Sequence, residues 1–170
     1  RPGSTSTPSC ATPPRRREPA RLDRQALNRY GAAVPFEFAT PVRFADVDHA
    51  GIVYYPRFFH YFHMAFEELF RARLGPRAYV DLLDKDRVGF PAVHAEADYH
   101  APLKFGDTAT IALSVAKLGA TSITFRYQVR RDDVACATGT VVCAVVDLAR
   151  FKPLPIPANI RALVADLVES

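Results

Sequence analysis

Residues 54–76 read Tyr-Tyr-Pro-Arg-Phe-Phe-His-Tyr-Phe-His-Met-Ala-Phe-Glu-Glu-Leu-Phe-Arg-Ala-Arg-Leu-Gly-Pro, and their spacing decides the fold. Phe58, Phe59, Phe62, Ala65, Phe66, Leu69 and Phe70 recur at steps of three and four, the period of one helical face, while Arg57, His60, Glu67, Glu68, Arg71 and Arg73 fill the rest. Pro56 suits the first turn, where its missing N–H is no loss, and Gly75-Pro76 supplies the stop signal. The span predicts about five turns of helix. So aromatic a stripe calls for a sheet large enough to cover it.

The flanking sequence supplies that sheet. Upstream, Phe38, Thr40, Val42 and Phe44 share one parity of a short strand that runs into the polar turn Asp46 to Gly51. Downstream, after a short helical stretch near Arg77 to Leu83, four segments rich in β-branched and aromatic residues follow: Phe90 to His100, Asp107 to Leu118, Ser122 to Arg131 and Val134 to Asp147. Pro102, Gly106, Gly119 and Asp132-Asp133 separate them, which predicts consecutive antiparallel neighbours. Past the prolines at 153, 155 and 157, Ala158 to Val168 reads as a short amphipathic helix. The expected class is α+β, one long buried helix against an antiparallel sheet. Five or six strands do not enclose one helix completely, so a free face or edge invites a second copy of the chain.

Composition limits the alternatives. At 170 residues the chain suits one domain, and 49% hydrophobic with 24% charged residues is ordinary for a globular protein. The net charge of +4 is misleading, because residues 1–35 carry seven Arg against two acidic residues while residues 36–170 carry 15 basic against 16 acidic. The first segment, rich in Pro, Ser, Thr and Arg, is expected to be a flexible tail, and residues 36–170 the domain. A nearly neutral domain gives no reason to expect a nucleic-acid partner. Cys10, Cys136 and Cys143 form no zinc or dithiol pattern, and the latter two read as packing residues. His60, His94 and His100 are scattered without ligand-spaced partners, and no phosphate-binding or dinucleotide glycine pattern occurs, so neither a metal nor a cofactor is expected. No apolar run reaches membrane-span length and no apolar signal core follows the N-terminal arginines, which predicts a cytoplasmic protein without a membrane partner.

The densest collection of reactive side chains is Arg43-Phe-Ala-Asp46-Val-Asp48-His49-Ala-Gly51-Ile-Val-Tyr54-Tyr55-Pro56, directly before the long helix. Two carboxylates, a histidine and a glycine beside a helix N-terminus are the minimum equipment for acyl hydrolysis, since unpaired N–H groups there can bind a developing oxyanion. The same residues can also simply shape a turn, with Asp46 and Asp48 as caps and Gly51 supplying a positive φ.

The segment from Phe44 to Phe59 resembles the signature of the 4-hydroxybenzoyl-CoA thioesterase family of hot-dog-fold proteins, and the resemblance continues through Tyr99-His-Ala-Pro102-Leu-Lys-Phe-Gly106-Asp107 to Phe151-Lys-Pro153. It implies a sheet wrapped around the long helix, assembled as dimers and commonly tetramers with the active site at the dimer interface. Asp48 matches the catalytic carboxylate, either attacking the thioester carbonyl or activating water, and Tyr55 the residue whose backbone N–H binds the oxyanion. Gly51 belongs to the same catalytic loop, and Asp46 reads as structural. His49, Tyr54, Phe59 and His63 are the substrate-binding candidates, with His63 expected to be buried, facing the acyl group. The implied substrate is an acyl-CoA or an acyl carrier protein thioester, with an aromatic or medium-chain acyl group. Where some members place a basic triplet for the nucleotide phosphates, this chain has Leu118-Gly119-Ala120-Thr121 after Lys117. A hot-dog dehydratase would instead need a catalytic His paired with a carboxylate from another element, and a non-enzymatic acyl-CoA-binding domain would have little use for Asp48.

Overall fold

The computed structural model describes residues 34–169, so the tail reading of residues 1–33, Cys10 included, lies outside the described residues. Five strands form the main antiparallel sheet: β1 (Phe36–Pro41), β3 (Ala92–Tyr99), β4 (Thr108–Leu118), β5 (Ser122–Arg131) and β6 (Val134–Ala144), in the order β1-β4-β5-β6-β3. A second, three-stranded sheet joins β2 (Val88–Gly89), β7 (Val146–Asp147) and β8 (Lys152–Pro153). Across the main sheet lies α1 (Arg57–Leu74), followed by α2 (Ala78–Asp84), with α3 (Ala158–Val164) near the C-terminus.

The helix and the sheet meet through matching periods. Phe58, Tyr61, Phe62, Ala65, Phe66, Leu69 and Phe70 of α1 are buried. They face Ala109, Ile111, Leu113 and Val115 of β4 and Ile123, Phe125, Tyr127 and Val129 of β5, alternate residues buried as a two-residue period requires. Each large apolar side chain so buried contributes about 1.5–3 kcal/mol. The Phe62 ring stacks on Tyr127 at 4.6 Å and 17°, and it can do so only because β6 presents Gly139 beneath it. A Cβ at Gly139 would sit 2.4 Å from the Phe62 ring.

Four expectations from the sequence are corrected. The strand near residues 90–100 is not the neighbour of the next one: β3 pairs with β6 on the far edge, and β1 takes the place beside β4. The β3–β4 connection does not make a hairpin because it has a different task. His100 and Ala101 N–H bond the Cys136 carbonyl, Leu103 is fully buried, and the Leu103 carbonyl accepts from Val53 N–H at 2.8 Å. Phe44 does not continue β1, which ends at Pro41; it opens a 3-10 turn, Phe44–Asp46, and is 79% exposed. The fourth predicted strand divides into β6 and β7 at Val145. The last helix stops at Val164 and closes with a 3-10 turn, Ala165–Leu167.

The C-terminal segment closes the far end of α1. Arg73 donates to the Leu163 carbonyl at 2.6 Å and pairs with both Asp166 oxygens at 2.6 and 2.9 Å. Val168 bridges to Val115, and Glu169 receives Ser114 Oγ at 2.6 Å and the Arg126 guanidinium at 2.5 Å. Cys136 and Cys143 are buried free thiols. A register shift in the β5–β6 ladder falls at Cys136.

Gly139→Ala is expected to lower stability by about 1–3 kcal/mol, the usual cost of overpacking a dense core. Thermal unfolding measures it, and pairing the change with Phe62→Leu, which removes the obstructing ring, should recover part of the loss.

Candidate active site

The loop between β1 and α1 is tied down at both ends. Asp46, 7% exposed, accepts from Arg43 N–H at 2.8 Å through its carboxylate, and its own carbonyl accepts from Tyr54 N–H at 2.9 Å. Arg57 approaches the same carboxylate at 3.4 Å and donates to the Ala45 carbonyl at 3.0 Å, strapping the 3-10 turn to the first turn of α1. The buried Tyr61 hydroxyl lies beside this carboxylate. Burial first, then the negative charge of Asp46, pushes its pKa up. Asp46 is therefore the structural carboxylate of the pair.

Asp48 is the exposed one. Its Oδ1 accepts from Ala50 N–H at 2.8 Å, its carbonyl from Gly51 N–H at 3.0 Å, and its N–H donates to the Ile52 carbonyl at 2.9 Å. Gly51 holds φ at 74° with open space around it, so glycine is used there for its conformation. Its N–H is spent on Asp48, which makes Gly51 the residue that shapes the turn and not a donor to a substrate.

At the helix entrance the hydrogen-bond accounting leaves one donor over. Arg57, Phe58 and Phe59 N–H bond the carbonyls of Tyr54, Tyr55 and Pro56 at 2.8, 3.3 and 3.1 Å, and Pro56 has no N–H. Tyr55 N–H has no acceptor among the described residues. It sits at the positive end of an 18-residue helix, where a negative charge is favoured.

Aromatic rings surround this donor. Tyr54 and Tyr55 are 47% and 60% exposed and meet at 5.0 Å, and Tyr99 from the end of β3 lies 6.4 Å from Tyr55 and 5.2 Å from Phe58. Tyr99 Oη donates to the Tyr55 carbonyl at 3.2 Å, gripping the residue whose N–H is free. Burial and the neighbouring Tyr55 raise its pKa. Sequence reasoning missed Tyr99 as a site residue; its signal was an aromatic at a strand end, which alternation alone treats as ordinary.

The other candidates divide. His49 is exposed on the Asp48 turn, and Phe59 is half-buried, edge-on to Phe62 at 5.6 Å. His63 is not buried as expected: its side chain is 56% exposed in the chain, with Nε2 3.1 Å from Glu67 one turn on. The helical period explains this, since residues 63 and 67 fall on the face of α1 opposite the sheet. His94 lies 3.4 Å from Glu96 and His100 Nε2 lies 3.0 Å from Thr138 Oγ1. Among the described residues no group of three His, Cys, Asp or Glu is placed to hold a metal ion, and no helix is long and apolar enough to cross a membrane.

Comparison with known proteins identifies the family. The chain is 28% identical over 127 residues to the acyl-CoA thioesterase YbgC of Haemophilus influenzae, covering 75% of this chain and 92% of that protein. It is 29% identical over 126 residues to the 1,4-dihydroxy-2-naphthoyl-CoA hydrolase of Synechococcus elongatus, covering 74% and 92%. A thioesterase-superfamily crystal structure from Jannaschia sp. CCS1 superposes with a TM-score of 0.74 at 27% identity, over 80% of this chain and 94% of that one. The model of the thioesterase-like superfamily matches residues 42–164, a span that holds the β1–α1 loop, α1 and most of the sheet, and the chain belongs to that superfamily.

Proposed function

We propose that the chain hydrolyses acyl thioesters at the β1–α1 loop, with Asp48 as the reacting carboxylate and Tyr55 N–H as the donor to the oxyanion. The unspent Tyr55 N–H carries this reading, because it is a polar donor at a helix N-terminus with no acceptor among the described residues. Polarised there, the thioester carbonyl becomes open to attack on carbon. Asp48 either adds its own oxygen, expelling the thiolate and leaving a mixed anhydride that water cleaves, or removes a proton from a water that adds instead. Both routes release a free carboxylic acid and a thiol, and both need the same two groups. Gly51 serves by holding the turn of Asp48.

The exposed rings of Tyr54, Tyr55 and Tyr99 and the half-buried Phe59 offer an apolar wall, which suits an aromatic or medium-chain acyl group carried on coenzyme A or an acyl carrier protein. His49 and His63 supply polar contacts at its margins. The site is completed by a second copy: β3 bonds β6 along one edge and is open on the other among the described residues, and Tyr99 stands at the end of that open strand. A homodimer, paired further into a tetramer, follows from this reading. Two buried unpaired thiols suit a reducing, cytoplasmic compartment.

A thiol-release assay over aliphatic and aromatic acyl-CoAs and acyl carrier proteins tests the reaction. Asp48→Asn should keep the melting point and lower turnover at least ~100-fold, the scale of losing a general base or nucleophile; near-normal activity would remove Asp48 from the mechanism. Asp46→Asn should do the reverse, lowering the melting point more than the rate, because it disturbs the loop's attachment. Light scattering should find no stable, active monomer. If His63 bonds an oxygen on the acyl group, His63→Ala should penalise oxygenated substrates over plain ones by roughly 1–3 kcal/mol. An equal loss on both would place the acyl preference elsewhere.

A further inference from the structure

The start of the catalytic loop carries a surface feature that hydrolysis itself does not use. Phe44 and Phe105 are 79% and 62% exposed, and their rings meet nearly edge to face with centroids 6.0 Å apart. They come from different segments, Phe44 from the 3-10 turn before Asp46 and Phe105 from the β3–β4 connection. Both segments are held in place: Gly106 N–H bonds the Val42 carbonyl at 3.3 Å, and Lys104 N–H bonds the Asp107 carboxylate at 2.8 Å. A fixed pair of phenylalanines left in water marks a binding surface more often than an accident.

Its electrostatics narrow the occupant. Arg43 and Lys104 precede the two rings in sequence, both are exposed, and neither has an acidic group in ion-pair range among the described residues. The nearby carboxylates are already engaged, Asp107 with Arg131 at 3.1 Å and Asp46 with Arg57 at 3.4 Å. The patch is therefore two aromatic faces with two cations that close no ion pair among the described residues, Lys104 lying near enough to Asp107 to help hold that carboxyl below its usual range. Phe44 is also four residues from Asp48, so their Cα atoms are at most about 14 Å apart, within the reach of an extended pantetheine arm.

We infer that Phe44, Phe105, Arg43 and Lys104 form the subsite for the nucleotide end of a coenzyme A thioester, an inference that rests on the hydrolase reading above. The adenine packs on the exposed rings, and the phosphates take hydrogen bonds from the guanidinium and the ammonium. A neutral acyl group would have no use for the two cations, and a carrier-free thioester none for the rings.

The test compares two thioesters of whichever acyl group the panel turns over best, one on coenzyme A and one on pantetheine alone. Wild-type protein should prefer the coenzyme A thioester in kcat/KM, and added adenosine 3′,5′-bisphosphate should inhibit its hydrolysis competitively. Phe105→Ala and Lys104→Ala should each lower the ratio of the two kcat/KM values about tenfold, the scale of one lost base–aromatic contact, through KM and not kcat. Both side chains are exposed, so unchanged melting points and light scattering should accompany the effect. An unchanged ratio overturns the subsite and leaves the hydrolase reading standing. Loss confined to acyl carrier protein substrates assigns the patch to a carrier protein, and dissociation of the oligomer assigns it to a second copy; either overturns the inference. Hydrolysis of neither thioester overturns the hydrolase reading and the subsite with it.

Discussion

The contact between the aromatic face of α1 and the sheet is the constraint on which the rest depends. Phe62 can stack on Tyr127 only over a glycine, and Phe66 touches Phe70, Tyr79, Phe90 and Phe125 within 6 Å. These rings fix both the height of the helix above the strands and its rotation about its own axis. Rotation matters most for function. With residues 58, 62, 65, 66 and 69 turned to the sheet, the residues at 60, 63, 67 and 71 must face away from it.

A helix held this rigidly also fixes its own first turn, and the β1–α1 loop inherits that position. Arg57 and Tyr61, in the first two turns, reach back to Asp46, so the loop is anchored to the helix through a carboxylate that is almost wholly buried. Asp48, two residues later, is thereby free of structural duty on its exposed side. The division of labour between two similar aspartates comes from burial and partners. Pro56 completes the arrangement: it removes one donor from the helix entrance, and the tight turn consumes the next three, leaving Tyr55 N–H without an acceptor among the described residues.

How much of this was readable in the sequence follows from which interactions are local. The limits of β5, and those of β4 and β6 to within a few residues, came from alternation and turn residues, because period and punctuation are properties of short segments. The pairing of β3 with β6 was not readable in that way. It depends on Leu103 being drawn into the core and on residues 100–101 bonding the Cys136 carbonyl, contacts between segments distant in sequence. The two-residue strands β2, β7 and β8 are too short to show any period. In the loop, Asp46, Asp48, His49 and Gly51 stood out by type and spacing and Tyr55 through the family resemblance, and burial sets Asp46 apart from the exposed Asp48. His63 was misplaced because a histidine inside an aromatic run looks buried until its angle on the helix is counted. Tyr99 was overlooked because its importance lies in one hydrogen bond to a backbone carbonyl 44 residues away.

The exposed aromatics around the loop then bear on assembly. Tyr54, Tyr55 and Tyr99 lie at the surface of a single chain at roughly half exposure, each forgoing burial energy that a folded monomer would normally collect. Their polar ends do not remove that cost, since the Tyr99 hydroxyl is turned inward to the Tyr55 carbonyl. Any further cover for these rings must come from outside the described residues. A small acyl group can shield only the part nearest Tyr55 N–H, whereas an open strand edge running up to Tyr99 can recruit a whole second sheet. On the proposed reading the two covers are complementary, because a chain docked along β3 would form the outer wall of the surface assigned to the acyl group. Assembly and substrate binding would then draw on the same exposed surface, and a site that looks open in one chain would become a closed pocket in two.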